Sequence, residues 1–223
     1  MNTFLRRFVW LVIIAPAVYL AVIWNTIPSK VATHFDAKGN PDEYGSKVQL
    51  WLGIGLITVV GALIFLLLTQ LYKIDPKKHA AENKDRLLRM AFVIVLFMSV
   101  ISFTMIHASA SQGGIRFNMH FIFSSIGFLW AIIGNYMHNI KPNYFAGFRL
   151  PWTLENEENW RKTHLIGGKL WFAGGLIIGI TWLFASTTVG LIVTFALFLV
   201  MIIVPFVYSY RLHKKQKSMD LTN

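Results

Sequence analysis

Residues that could bind a metal or move a proton are concentrated in one short polar stretch, the first loop (residues 25–47). The eligible ligands in this loop, and on the membrane face expected near it, are His34, Asp36, Asp42, Glu43, His107 and His120. Imidazole and carboxylate groups suit zinc or a harder ion. Their spacing matches no established metal motif. The spacing therefore favours the alternative, in which Asp36 and Asp42 are turn residues and His34 is a loop histidine with satisfied hydrogen bonds.

Other catalytic chemistry is not indicated by the sequence. The chain contains no cysteine, which excludes disulfides, thiol nucleophiles and cysteine-based zinc sites. It contains no His-Glu-x-x-His motif, and no Ser-His-Asp or paired-carboxylate arrangement stands out. We therefore predict a protein that is not an enzyme and uses no cofactor. A metal-dependent membrane enzyme built on His34 and the neighbouring acids is kept as the least favoured alternative.

The first loop carries signals of local order. Residues 31–35 alternate between larger and smaller or polar side chains, which predicts a short extended piece. Residues 36–39 have turn chemistry, in which Gly39 is free to adopt a positive φ. Residues 40–42 carry a second turn signal, Asn-Pro-Asp. We expect the loop to be ordered and packed on the ends of the neighbouring helices.

A second polar stretch, the signature segment (residues 139–169), is rich in aromatic and charged residues. Gly147 and Pro151 make a continuous helix between them unfavourable. Asn156 has the character of a helix N-cap, and it is followed by two glutamates that suit the positive helix end. Trp160 and His164 then share one helix face, because they are four residues apart. We expect this helix to run into the next apolar run.

Structural roles are also available to these side chains. Trp152 and Trp160 would be anchors at the membrane interface. Arg149 would bind a lipid phosphate or cap a helix C-terminus. His164, beside two glutamates, is more typical of a surface histidine than of a general base. Further along, Gly175 and Gly179 form a pair that lets another helix approach closely.

The elements that must position both polar stretches are membrane helices. Hydrophobic residues make up 55% of the 223 residues, aromatic residues 15% and charged residues 14%. An ordinary globular protein has roughly 25% charged residues. A single soluble core of this size cannot bury so much apolar surface. The composition therefore indicates an integral membrane protein.

Six apolar runs approach the length of about 20 residues that a transmembrane helix needs. They cover residues 8–24, 48–71, 90–106, 117–137, 166–185 and 189–208. The first run is too long for the apolar part of a cleaved signal peptide, so we expect it to remain as a helix. The sequence thus predicts an all-α, polytopic membrane protein with six transmembrane helices. We divide it into a two-span module, residues 1–72, and a four-span module, residues 73–223.

The distribution of basic residues predicts the orientation. If the six runs cross the membrane in alternation, 17 of the 21 Lys and Arg residues fall on one side. Cytoplasmic loops are rich in Lys and Arg, so both termini are expected in the cytoplasm. The first loop is then outside, whereas the signature segment and the second loop (residues 73–89) are inside. Because the basic residues are spread over several loops, the net charge of +11 does not indicate nucleic-acid binding.

Two motifs lie in the polar stretches. The first loop holds a Pro, a His-Phe pair, a Gly, a Pro-Asp pair and a Lys, namely Pro28, His34, Phe35, Gly39, Pro41, Asp42 and Lys47. The signature segment holds an Asn-aromatic-Gly-x-Arg-x-Pro-Trp-Thr-Leu stretch, then a Trp and a Thr-His pair, namely Asn143, Phe145, Gly147, Arg149, Pro151, Trp152, Thr153, Leu154, Trp160, Thr163 and His164. In this order, with six spans, the motifs resemble the bacterial SdpI family. Its members include the immunity proteins of the sporulation-delaying-protein toxin system. Phe148 and Leu150 depart mildly from that pattern, which has a smaller aliphatic residue and a Thr.

The resemblance implies an immunity and signal-transduction protein of the bacterial inner membrane, which resists a secreted toxic peptide and recruits a cytoplasmic repressor. Its implied partners are thus the lipid bilayer, that peptide and that repressor, without direct contact to nucleic acid. The residues implied to face the peptide are His34, Phe35, Asp36, Gly39, Pro41, Asp42 and Lys47. The residues implied to carry the cytoplasmic response are Asn143, Gly147, Arg149, Pro151, Trp152, Thr153, Trp160 and His164.

A small transporter or exporter is the main alternative function. Its polar path would draw on Asn118, Ser124, Ser125, Asn135 and Thr181. Ion and proton pathways usually contain buried acidic or basic residues, and the sequence places none at the centre of a span. The immunity function is therefore the preferred prediction.

Overall fold

The structure is a computed structural model that describes residues 2–36, 39–77, 80–110 and 119–220. The sequence predictions also used residues outside the described ones, namely Lys38, Lys78, Arg116, Phe117 and Asn118. The chain divides into two compact units. The first comprises Met1–Leu68 and Ala91–Ile122, and the second comprises Thr69–Met90 and Phe123–Asn223. The module boundary expected between residues 72 and 73 stays a prediction.

Helices dominate the described residues and confirm the predicted multi-pass architecture. They are α1 (Asn2–Ile23), α2 (Val48–Ile74), a 3₁₀ turn (Ala80–Asn83), α3 (Lys84–Ala110), α4 (Met119–Met137), the short α5 (Pro151–Glu155), α6 (Glu157–Phe184) and α7 (Thr187–Asp220). All except the 3₁₀ turn and α5 are long and apolar enough to cross a bilayer. The side of the membrane that each terminus faces stays a prediction.

Helices α6 and α7 each extend beyond the apolar run that predicted them. Helix α6 begins well before its apolar part, because the Asn156 side chain accepts a hydrogen bond of 2.8 Å from the Asn159 N–H group. This is the predicted N-cap, and it satisfies one of the free donors of the first turn. Helix α7 continues beyond its apolar run as far as Asp220. The basic C-terminal stretch is thus helical through most of its length.

The first loop folds as a β-hairpin, which is the one departure from the all-α prediction within the described residues. Strand β1 (Lys30–Phe35) pairs antiparallel with β2 (Pro41–Ser46). The extended piece and the positive φ of Gly39, 79°, are confirmed. The second turn signal was wrong, because Pro41 begins β2, a position that edge strands tolerate. The pairing is irregular between Ala32 and Phe35, and the predicted alternation does not hold before that point either, since both Val31 and Ala32 are buried.

The hairpin is fastened to the helices of the first unit by apolar contacts. Val31 of β1 belongs to a buried cluster whose other members are Leu20, Ile27, Leu50, Ile54 and Ile106. The Lys47 ammonium group, just after β2, lies 4.5 Å from the centre of the Trp24 ring. It also donates a hydrogen bond of 3.1 Å to the Trp24 carbonyl. The loop is therefore held at both of its ends.

Glycines bring α4 and α6 into close contact within the second unit. A Cβ atom added to Gly175 would lie 2.4 Å from the Ala131 nitrogen, and one added to Gly127 would lie 2.4 Å from the Gly179 nitrogen. The Ser124 hydroxyl donates a hydrogen bond of 2.9 Å to the Gly179 carbonyl. The predicted close approach at Gly175 and Gly179 is confirmed, since no larger side chain fits between these backbones.

Candidate functional site

Asp36 organises the tip of the hairpin. Its carboxylate accepts hydrogen bonds from the Asn40 backbone N–H group at 2.8 Å and from the Asn40 side chain at 3.2 Å. The Asp36 N–H group in turn donates to the Asn40 carbonyl at 2.8 Å. Asp36 therefore has the role of a turn residue, and it fixes the direction in which the two strands leave the tip.

His34 and Asp42 face each other across the two strands. Their side chains join through a contact of 2.6 Å between His34 Nδ1 and Asp42 Oδ1, and they are 63% and 45% exposed. The hydrogen bond to Asp42, and secondly the charge of Asp42, raise the pKa of His34 above its usual value. Within the described residues, no group of three or more His, Asp or Glu side chains could hold a metal ion. The pair is therefore suited to polar recognition at a surface.

A groove of about 380 Å³ lies beside β1 in the first unit. The side chains that line it include Thr33, His34, Phe35, Glu43, Gln49 and Met105. The predicted residues His34 and Phe35 are thus brought together on one surface. Lys47 is not among its lining residues, because its ammonium group is bound by main-chain carbonyls of Trp24 and Ile27.

The signature segment starts with a turn built on Asn143, which is 4% exposed. Its side-chain oxygen accepts hydrogen bonds from the N–H groups of Phe145 and Ala146, at 2.9 and 2.7 Å. Its side-chain nitrogen donates to the carbonyls of Lys141 and Ala146, at 2.9 and 3.1 Å. Asn143 therefore satisfies four backbone groups of the turn and leaves no amide atom for an external partner.

Gly147 and His164 form the centre of the segment. Gly147 has a φ of 101°, and a Cβ atom there would lie 2.1 Å from His164 Nε2. The Phe148 N–H group donates to His164 Nε2 at 2.9 Å, and His164 Nδ1 lies 2.8 Å from the Trp160 carbonyl. A backbone N–H can only donate and a carbonyl can only accept, so the ring is neutral with its proton on Nδ1. His164 is fully buried, which makes the surface-histidine interpretation wrong.

The two tryptophans of the motif pack into the protein to different extents. Trp160 is 1% exposed, stacks on His164 with ring centres 3.9 Å apart, and donates to the Ile140 carbonyl at 2.8 Å. Its predicted role as an interfacial anchor is therefore wrong. Trp152 is half-buried and donates to the Ser209 hydroxyl at 3.0 Å. It joins α5 to α7, where it also contacts the ring of His213.

Pro151 and Thr153 start the short helix α5. Pro151 occupies the first turn, where a missing N–H group does not matter. The buried Thr153 hydroxyl accepts from the Leu150 N–H group at 2.9 Å and donates towards the Phe148 carbonyl at 2.7 Å. These bonds fold residues 148–153 back on themselves, which brings the segment to the position where Trp152 reaches α7.

Arg149 is the charged residue of the motif, and it remains on the surface. Its guanidinium group donates to the carbonyl of Tyr144 at 3.0 Å, which belongs to a loop and not to the helix C-terminus considered from the sequence. Tyr144 and Phe145 beside it are 44% and 39% exposed. Arginine and exposed aromatic side chains are typical of protein interfaces. These three residues define the exposed patch of the segment.

Sequence reasoning missed the residues of the second loop that hold this segment. The buried Asn83 side chain makes two hydrogen bonds to the backbone of Lys141, at 2.8 and 3.1 Å. Asp75 accepts from the Tyr144 N–H group at 2.8 Å, and Lys77 donates to the Leu154 carbonyl. These hydrogen bonds join positions far apart in the chain, so no local sequence pattern predicts them. The polarity of the second loop was the one available signal.

Together these features define a multi-pass membrane protein with a packed polar segment between its fourth and fifth long helices. Residues 139–209 match the family described as the SdpI/YfhL protein family, and residues 11–58 match a domain of unknown function (DUF1648). No curated protein and no solved structure matches the chain. The first match supports the predicted resemblance to the SdpI family over residues 139–209 and suggests a membrane protein of the immunity type. The family assignment of the first-loop motif stays a prediction.

Proposed function

We propose that this protein protects a bacterial cell against a secreted toxic peptide, without catalysis, from a position in the inner membrane. The observation that carries the proposal is the exposed His34–Asp42 pair on a hairpin fastened to membrane helices. An exposed ion pair contributes little to the stability of the fold, so its side chains are available for recognition. The SdpI/YfhL match of residues 139–209 supports the immunity class of function.

The groove beside β1 supports a peptide as the ligand. Phe35 and Met105 offer apolar contacts, while His34, Glu43 and Gln49 offer polar ones. Within the described residues the sheet has two strands, and an extended peptide can bind the edge of such a sheet through its backbone. The edge of the hairpin would therefore bind the backbone of the peptide, and the side chains of the groove would select its sequence.

The exposed patch of the signature segment is the proposed contact for a cytoplasmic repressor. The remainder of the motif is occupied in holding the segment's shape, as the bonds of Asn143 and His164 illustrate. Arg149 has five donors in a fixed fork, one of which bonds to the Tyr144 carbonyl, and such a fork suits a carboxylate of a partner protein. We therefore assign protection to the first loop and recruitment to Arg149 and its aromatic neighbours.

Survival of a sensitive bacterial host tests this assignment. The host expresses each variant and is challenged with the sporulation-delaying toxic peptide that the family resemblance implies. The triple variant His34→Ala, Phe35→Ala, Asp42→Ala should lose protection at unchanged membrane abundance, and Arg149→Ala should retain it. Thr188→Ala, exposed in the first turn of α7, is the control. Full protection by an abundant triple variant would contradict the receptor role and favour a transporter.

The orientation has its own test, because the chain has no cysteine. Single cysteines are introduced by Glu43→Cys in the hairpin and Glu155→Cys in the signature segment, both of which are exposed. A membrane-impermeant maleimide should label the first in intact cells and the second only after lysis. The opposite result would place the hairpin in the cytoplasm, where a secreted peptide does not reach it.

A further inference from the structure

Three adjoining cavities of the second unit meet at one residue, His138. The first, of about 270 Å³, is lined by Arg86, Lys141 and Arg161 among others, and the second, of about 460 Å³, by Arg86 and Arg89. The third is a groove of about 250 Å³. His138 lines all three, and Asn139 lines the first two. The three cavities therefore adjoin one another around His138, and together they make a depression with two kinds of lining.

The linings of the two polar cavities hold four basic and three acidic side chains, an excess of one positive charge. Arg86, Arg89, Lys141 and Arg161 face Glu82, Asp85 and Glu157. The Glu82 carboxylate lies 3.6 Å from the Lys141 ammonium group, so part of the negative charge is already paired. Arg86 donates one hydrogen bond, of 3.1 Å, to the Glu82 carbonyl, which uses one of its five N–H groups. The cavities thus favour an anion with several acceptor oxygens.

The third cavity is an apolar groove on the surface of membrane helices. Gly134 of α4 and Gly168 of α6 line it where the two helices pack closely, since a Cβ atom at Gly134 would lie 2.4 Å from the Phe172 nitrogen. Leu165 and Phe172 form its walls and are 36% and 44% exposed. Lys169 stands at the same groove. An exposed apolar groove on a membrane-spanning helix faces acyl chains, not water.

We propose that this depression binds one anionic phospholipid, with the phosphodiester headgroup among the arginines and one acyl chain along the glycine groove. An amphiphile is the occupant that satisfies both linings, because a soluble anion leaves the groove empty and an apolar ligand does not use the excess positive charge of the polar cavities. Basic pockets between membrane helices bind anionic headgroups in this way. The site is independent of the proposed peptide binding, since every residue in it belongs to the second unit.

The proposed lipid would also touch the signature segment. Trp160 and Ile140 line the first polar cavity, and they are joined by the hydrogen bond of 2.8 Å from the indole to the carbonyl. A headgroup held there would stabilise the turn that leads into the segment. Binding of the lipid to the folded protein should therefore raise the melting temperature of the protein.

The test uses the full chain, purified in detergent, with three probes. These are phosphatidylglycerol, phosphatidylcholine and water-soluble glycerol 3-phosphate, and binding is followed by native mass spectrometry and by thermal melting. Phosphatidylglycerol should bind and stabilise most. The double variant Arg86→Gln, Arg161→Gln should bind it roughly 30-fold more weakly, at about five-fold for each charge near an anionic lipid. Lys215→Gln with Lys217→Gln, both exposed on α7, is the charge-matched control.

A second variant tests the acyl groove without changing charge. Leu165→Trp fills the groove and should weaken phosphatidylglycerol roughly 15-fold, as expected when about two CH₂ groups lose contact at about four-fold each. Leu183→Trp, which is 51% exposed on the same helix outside the groove, should have no effect. Equal binding of phosphatidylcholine, equal stabilisation by glycerol 3-phosphate, or equal loss in the two control variants would each overturn the proposal.

Discussion

The first loop and the signature segment carry motifs of similar composition, yet they present them in opposite ways. In the signature segment the polar side chains of Thr153 and His164 are fully buried, and Asn143 is 4% exposed. In the first loop the side chains of His34 and Asp42 are 63% and 45% exposed. The difference lies in the partner of each polar group. Buried groups bond to the backbone of the segment, whereas exposed groups bond to each other.

This comparison separates residues that shape a surface from residues that form it. A buried polar group that loses its partner carries its full desolvation penalty, so the signature motif specifies one conformation. An exposed pair contributes little to folding, because water replaces either partner. The variants below are arranged to test whether stability and function divide between the two regions as this comparison requires.

Gly147→Ala should have the largest effect on stability. The residue would be held at a φ of 101°, and its Cβ atom would lie 2.1 Å from His164 Nε2. Relieving the overlap removes the bond between His164 and the Phe148 N–H group. We expect a loss of about 3 kcal/mol, the sum of backbone strain and a buried donor without a partner. Thermal melting in detergent measures it.

Gly55→Ala is the control for this variant. No atom outside the local helix backbone lies within 4 Å of a Cβ atom at Gly55, which is on α2. Alanine is also a better helix former than glycine, so its melting temperature should be equal or higher. If Gly147→Ala and Gly55→Ala had the same melting temperature, the role given to the Gly147–His164 contact would be wrong.

Asn143→Ala is expected to be next in magnitude. The N–H groups of Phe145 and Ala146 would lose the acceptor that they share in a partly buried turn. A loss of about 1–2 kcal/mol follows, because water reaches these donors only in part. His34→Ala should leave the melting temperature unchanged and reduce protection against the peptide. A large thermal effect of His34→Ala would remove the contrast between the two regions.

The sequence predicted the helices well because a bilayer demands long apolar runs. It also predicted the N-cap at Asn156 and the close approach at Gly175, which follow from one residue's chemistry. It failed where the partner is distant in the chain. Asn83 and Ser209 hold the signature segment from other parts of the second unit, and His164 was expected on the surface.

Trp152→Phe tests the connection between α5 and α7 at a smaller magnitude. Phenylalanine keeps an aromatic ring against His213 but loses the hydrogen bond of 3.0 Å to the Ser209 hydroxyl. We expect a loss of about 1 kcal/mol, and Ser209→Ala should lose a similar amount. The double variant should be no worse than the worse single variant, since both remove the same bond. Additive losses in thermal melting would show that the two groups act separately.

Asp42→Asn should produce the smallest effect, a change in the titration of one exposed ring. The hydrogen bond and then the charge of Asp42 raise the pKa of His34, so the variant should return that pKa towards about 6.5. Because the folded pKa is the higher one, the pair's contribution is fully present below the unfolded pKa and is lost as pH rises through the folded pKa. Histidine-selective NMR in detergent measures the midpoint of the His34 titration in the unchanged protein and in Asp42→Asn. The His34 signal is assigned by its absence in His34→Ala. An unchanged midpoint in Asp42→Asn would mean that the 2.6 Å contact does not persist in solution, and the recognition role of the pair would lose its basis.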